Sequence, residues 1–271
     1  MRLLIIAALC FAACTDKSIP LGGGEPPDAR LYADVYTWVC EDSDAQRYEG
    51  VFAYELSLEY APDALEDRDV PASGCTRGLD IFPGDAGADG VDIPDVSAPA
   101  WTTADQSGVL EHVTDGFYSD DVFENRKGCT DAAELLAEGA TLSDAGAFSG
   151  ATAPAPGSVE EVVLAGEVDE RSGIPFGSQV TASWSASGWD SSWVQIRREN
   201  AGVLVESVTC ATTGEESFTV DDDVWSLLSD AVEVDVTNLY VAFEVSGGST
   251  TADGQKVVTA TRAMHVAVVQ D

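Results

Sequence analysis

A period of two dominates this chain. In residues 51–60, VFAYELSLEY, the side chains Phe52, Tyr54, Leu56, Leu58 and Tyr60 fall on one face and their neighbours on the other. Residues 239–245, LYVAFEV, repeat the pattern with Leu239, Val241, Phe243 and Val245. Successive side chains alternate across a strand, so such segments bury one face of a sheet and cannot be amphipathic helices. Further strands are expected over 31–40, 178–185, 192–199, 203–211, 216–220 and 255–269, each bounded by Gly, Pro, Asp, Asn or Ser. Helical spacing is scarce. The best case is 131–138, DAAELLAE, with Thr130 as N-cap and Gly139 as stop.

The fold class expected is therefore mainly β. Two halves flank 149–157, SGATAPAPG. Residues 158–271 hold six or seven short strands, which fits an immunoglobulin-like β-sandwich. Residues 29–150 are β-rich with one short helix and a Gly/Asp/Pro-rich insertion over 83–106. No internal repeat relates the halves.

The N-terminus is a separate element. Met1-Arg2 is followed by the apolar run 3–9, LLIIAAL, then Phe11-Ala12-Ala13-Cys14 and polar Thr15-Asp16-Lys17. The run is too short to span a bilayer, but it has the basic, apolar and small-residue parts of an export signal. Residues 1–17 resemble the signal segment of bacterial lipoproteins, in which small residues precede a cysteine that is acylated and becomes the mature N-terminus. Phe11 stands where that family most often has Leu. The resemblance implies that 1–13 is removed, that Cys14 is lipidated, and that 14–28, rich in Gly and Pro, is a flexible tether. Thr15 follows the cysteine, so the aspartate that retains some such proteins at the inner membrane is absent there. The expected location is the outer membrane of a bacterial envelope, with the acylated terminus in the lipid bilayer.

Export makes the remaining cysteines informative. Cys40, Cys75, Cys129 and Cys210 are an even set in an oxidising compartment, and disulfides are expected. Of the three connectivities, Cys40–Cys75 with Cys129–Cys210 is the pairing expected. The second bridge would cross the boundary between the halves.

Charge excludes one class of partner. Against 48 Asp and Glu stand 13 Lys and Arg, a formal net charge of −35. A nucleic-acid partner needs a positive footprint, and this chain has none to offer. The acidity reads first as a solvated surface. No metal site is assigned and no cofactor is expected, although two acidic segments raise the question of calcium. Asp85, Asp89, Gly90, Asp92 and Asp95 share a loop but fail an EF-hand, because Gly87 and Val96 stand where ligands are needed. Asp221-Asp222-Asp223 is the other candidate.

No catalytic residue is assigned. His112 and His265 lie outside any His-Glu-x-x-His pattern, and no Gly-x-Ser-x-Gly elbow occurs. The pointed binding signal is Trp184, Trp189 and Trp193. Parity sends Trp184 to the core, places Trp193 with Gln195 and Arg197 away from Val194 and Ile196, and leaves Trp189 in a Ser/Gly turn. Trp189 and Trp193 are the candidate ligand-binding residues, suited to stacking on a sugar ring or anchoring a protein. The expected function is a non-enzymatic envelope or cell-surface lipoprotein with a structural or ligand-binding role: adhesion, carbohydrate or a protein partner. The alternatives are a secreted hydrolase acting on extracellular polymer through carboxylates, and a calcium-stabilised structural module.

Overall fold

Alternation along the chain becomes register across one sheet. The computed structural model describes residues 28–41, 47–61, 71–79, 91–96, 98–103, 107–124, 139–166, 174–201, 203–229, 234–250 and 256–270. The strands, in chain order, are β1 (Ala29–Glu41), β2 (Arg47–Tyr60), β3 (Cys75–Arg77), β4 (Ala100–Thr102), β5 (Ser107–Val109), β6 (Glu111–Thr114), β7 (Phe117–Glu124) and β8 (Thr141–Ser143). They continue as β9 (Ser158–Gly166), β10 (Ile174–Pro175), β11 (Val180–Ser187), β12 (Ser191–Asn200), β13 (Val203–Ala211), β14 (Ser217–Val220), β15 (Val236–Thr250) and β16 (Lys256–Gln270). Among the described residues, one short α-helix, α1 (Asp222–Trp225), follows β14, and a single 3-10 turn spans Gly146–Phe148. The protein is mainly β, as expected. The helix expected over 131–138 and the signal and tether of 1–27 lie outside the described residues.

Ten of these strands form one sheet, ordered β3-β13-β12-β15-β16-β1-β2-β7-β6, with β10 beside β16. Both halves drawn from the sequence contribute strands to it, joined where β1 runs parallel to β16 from Ala29↔Val257 to Thr37↔His265. That pairing ends at a register shift between Tyr36 and Thr37 against β2. A bulge bends its strand, and β10 then takes the released edge of β16 at Val269 and Gln270.

Two three-stranded sheets, β14-β11-β9 and β5-β4-β8, pack on the same face of this long sheet. Over the β14-β11-β9 sheet, Val180, Ala182, Trp184 and Val220 meet Val194, Ile196, Val208, Leu239, Val241 and Phe243. The result is a two-layer sandwich of β9, β11 and β14 against β13, β12, β15 and β16. Over the other, Trp101, Leu142 and Phe148 meet Leu31, Val35, Leu56, Leu58 and Tyr118. Each fully buried Leu, Ile, Val or Phe contributes about 1.5–3 kcal/mol, so these two layers supply most of the folding drive. The segment read as a linker is itself packed. Ala151 and Ala153 are buried, Ala153 N–H donates to Ala140 O, and Thr261 Oγ1 donates to Pro154 O.

The middle of the opposite face of the long sheet is also buried, and it is unusually polar. Trp193, Tyr240, Ala242, Met264 and Val266 cluster there beside Tyr36 and Leu79. On the same face Arg262 Nε and Nη2 donate to both oxygens of Asp34, at 2.7 and 2.5 Å, with the guanidinium 4.2 Å over the Tyr32 ring. Burial, with Asp34 and Glu55 nearby, pushes the Tyr36 phenol well above its ordinary value. Covering both faces explains why β15 buries Tyr240 and Ala242 in addition to Leu239, Val241 and Phe243. Val245 is only half-buried.

The expected pairing of Cys40 with Cys75 and Cys129 with Cys210 is corrected. Cys75 bonds Cys210, across 135 residues, because the three-residue β3 pairs with β13 and sets the two directly opposite. This bridge crosses the boundary between the halves. Cys40 lies in β1 with its side chain outside the described residues, as does Cys129 entirely.

Candidate ligand cleft at the end of the C-terminal sandwich

The turn between β11 and β12 is built by Gly188. Its φ of 78° is a left-handed conformation open chiefly to glycine, and it reverses the chain so that Trp189 folds back toward the sheet. A second glycine clears the way. A Cβ on Gly157 would stand 2.4 Å from Ser187 O and 2.8 Å from Trp189 Nε1, so only glycine lets that segment pass. The neighbouring Ser158 O accepts a hydrogen bond from Trp189 Nε1 at 3.0 Å.

Trp189, Trp184 on β11 and Phe243 on β15 make an aromatic floor. Ring centroids of Trp184 and Phe243 are 5.9 Å apart at 77°, and those of Trp189 and Phe243 are 6.0 Å apart at 41°. Above them opens a cleft of about 300 Å³, closed on its far side by the Thr213–Glu216 turn between β13 and β14. Ser187, Ser191, Ser192, Thr213, Glu215 and Glu216 are among its lining residues, with the hydroxyls of Ser187, Ser192 and Thr213 each engaged within the protein.

The two turns are held by their own polar groups. Trp184 Nε1 donates to Glu215 O at 3.0 Å, and Ser192 N–H donates to Thr213 Oγ1 at 3.1 Å. Ser192 Oγ and Thr212 Oγ1 are 2.9 Å apart. Asp190 Oδ2 accepts from Ser246 N, tying the turn to β15. Both indole N–H groups are thus satisfied inside the protein, so the tryptophans offer carbon surface, while Ser191 and the exposed Glu215 and Glu216 supply polar groups around it. An apolar floor with a few convergent polar groups is the usual make-up of a small-molecule site.

Of the two tryptophans assigned to ligand binding, Trp189 lines this cleft, half-buried. Trp193 does not, and its assignment is corrected. The parity expected for it holds, but its face of the sheet is covered, and it is fully buried beside Tyr240, Ala242 and Met264. Trp184 sits in the core as expected and contributes its edge to the cleft. Sequence reasoning missed Phe243, Thr213 and the two glutamates, because the β13–β14 turn carries no signal that aims it at the β11–β12 turn.

The acidic segments separate. Asp85, Asp89 and Gly90 lie outside the described residues. Asp221 caps α1, its Oδ1 accepting from Asp223 N and Val224 N, and Asp222 and Asp223 fill the first turn where the helix dipole favours negative charge. That placement accounts for the Asp221–Asp223 run without a cation. His265 is buried in β16, whereas His112 is exposed on β6 with Nε2 2.8 Å from Asp92 Oδ1. No family model, curated protein or solved structure matches the chain.

Proposed function

We propose that this is a non-enzymatic, lipid-anchored protein of a bacterial envelope whose immunoglobulin-like C-terminal sandwich binds carbohydrate in the cleft floored by Trp184, Trp189 and Phe243. The observation that carries the reading is the cleft itself. Tilted aromatic rings bordered by serine, threonine and two glutamates suit a ligand with apolar C–H faces and many hydroxyls.

Other features support the setting. The signal segment resembling lipoproteins directs export to a membrane, and the Cys75–Cys210 bridge suits an oxidising compartment. Among the described residues no helix is long and apolar enough to cross a membrane, which leaves Cys14 as the proposed attachment. The split into β9-β11-β14 and β13-β12-β15-β16, with β10 running along β16, supports the immunoglobulin-like reading of the sandwich.

A glycan panel tests the proposal. The full chain in detergent is expected to bind at least one glycan class, and Trp189→Ala to lose about 2 kcal/mol, about thirtyfold in affinity, as removal of an aromatic anchor does. An unchanged melting temperature would show the variant folded. Wild-type silence across the panel, or equal binding by the folded variant, would overturn the proposal.

A further inference from the structure

We propose that Asp92, His112 and Asp115 form a binding site for a zinc-class divalent cation at the open edge of the long sheet. One ligand atom from each lies within 4.8 Å of the others. His112 Nε2 and Asp92 Oδ1 are hydrogen-bonded at 2.8 Å, closer than the about 3.3 Å between two ligands of one tetrahedral zinc, so a bound ion takes the place of the shared proton and spreads the pair by about half an ångström. Asp115 closes the remaining gap by rotating about its own side chain, which is exposed and free to turn.

The three residues come from two places in the chain that the fold brings together and holds. His112 is on β6 and Asp115 in the two-residue turn to β7, a turn completed by Gly116 at φ 71°. Asp92 belongs to the segment entering from the Asp/Gly-rich insertion. One tyrosine of β7 orders both groups. Tyr118 Oη accepts from Ile93 N at 2.9 Å, fixing the backbone beside Asp92, and its ring packs edge-on against His112 at 5.4 Å and 70°.

Donor type selects the ion. One imidazole and two carboxylates match zinc and its first-row neighbours, with a fourth position open to water. Calcium takes six to eight oxygens, and an imidazole is a poor substitute for any of them. A formal charge of −35 raises the local concentration of any dication. Bound there, the ion ties the 91–96 segment to β6, the last strand of the long sheet among the described residues.

The test is a zinc titration of the metal-stripped full chain in detergent, by calorimetry, with cobalt as an optical probe of coordination. One zinc per chain is expected, unaffected by excess calcium or magnesium. His112→Ala and Asp115→Asn, both exposed and away from the core, are each expected to weaken it by about tenfold or more while leaving the circular dichroism unchanged. Asp222→Asn, an acid remote from the site, should bind as wild type. Absence of one-to-one zinc binding, displacement by calcium, or a folded His112→Ala that binds within twofold of wild type would overturn the proposal. None of these outcomes depends on the glycan cleft, which lies on a different part of the chain.

Discussion

Arg262→Met is expected to destabilise the protein by about 3–5 kcal/mol, because it breaks a buried ion pair from one side only. Arg262 and Asp34 are 1% and 0% exposed at their side chains, and their bidentate contact bridges β16 to β1, the seam between the two halves of the sheet. Cross-strand register places Glu244 beside Arg262 and Glu55 beside Asp34, so one guanidinium serves a row of three acids. Removing it strands the Asp34 carboxylate in the interior with like charges flanking it.

Burial pulls the Arg262 guanidinium down, but the Asp34 carboxylate outweighs that and raises it above the ordinary arginine range. A group raised on folding contributes stability that is fully present below its unfolded pKa, already far into the alkaline range for arginine, and is lost only as pH climbs through the folded value. The loss in Arg262→Met should therefore be the same throughout the neutral range. Asp34→Leu combined with Arg262→Met is expected to recover most of it, since apolar replacement of a buried pair is close to neutral. Urea unfolding of the two variants checks both statements. A single variant within 1 kcal/mol of wild type would mean that the pair is solvated.

Cys75→Ala with Cys210→Ala is expected to cost about 5 kcal/mol, from a closed loop of 135 residues in the chain-entropy model. Alanine avoids burying a new polar group at Cys210, which is 1% exposed. Reduction of the wild type should produce the same fall in urea midpoint. Cys75→Ala alone should cost nearly as much, and a non-reducing peptide map should show Cys75 linked to Cys210. Linkage of Cys210 to Cys129 instead, with Cys75→Ala as stable as wild type, would contradict the pairing.

Much of the framework was legible in residue order. The eight segments read as strands became β1, β2 and β11 to β16, seven of them long enough for period two to show and the short β14 marked by Phe218 and Val220. The strands that escaped notice are short or carry a blurred pattern. β3 to β6, β8 and β10 span two to four residues each, and β7 mixes Phe117 and Val122 with Asp120 and Asp121. β9 buries only Val162 along its length, so its apolar residues do not alternate. Contacts over long separations left no local trace. Nothing near Asp34 announces Arg262, and the Cys75–Cys210 bond depends on a three-residue strand finding its edge. The segment 149–157 has a linker's composition, yet Ala151 and Ala153 are small enough to pack, which composition does not reveal.

The site was half legible for the same reason. Trp189 stood out because a tryptophan in a Ser/Gly turn has no place in a strand's alternation. Trp193 misled because parity separates faces without saying which of them is covered. Asp92 and His112 were each noticed alone, and only the β6–β7 hairpin brings them together with Asp115.

The claim at the centre is that a hydroxyl-rich ligand sits on Trp189 in the cleft, and indole resonances read it directly. Nitrogen-15 spectra of the full chain, recorded with and without the glycan class that binds, should shift the indole N–H signals of Trp189 and Trp184, assigned by single Trp→Phe variants. Those of Trp101, buried under the other small sheet, and Trp193, on the covered face, should stay where they are. Shifts confined to Trp101 or Trp193, or none at a saturating concentration of a bound glycan, would place the ligand elsewhere and contradict the reading.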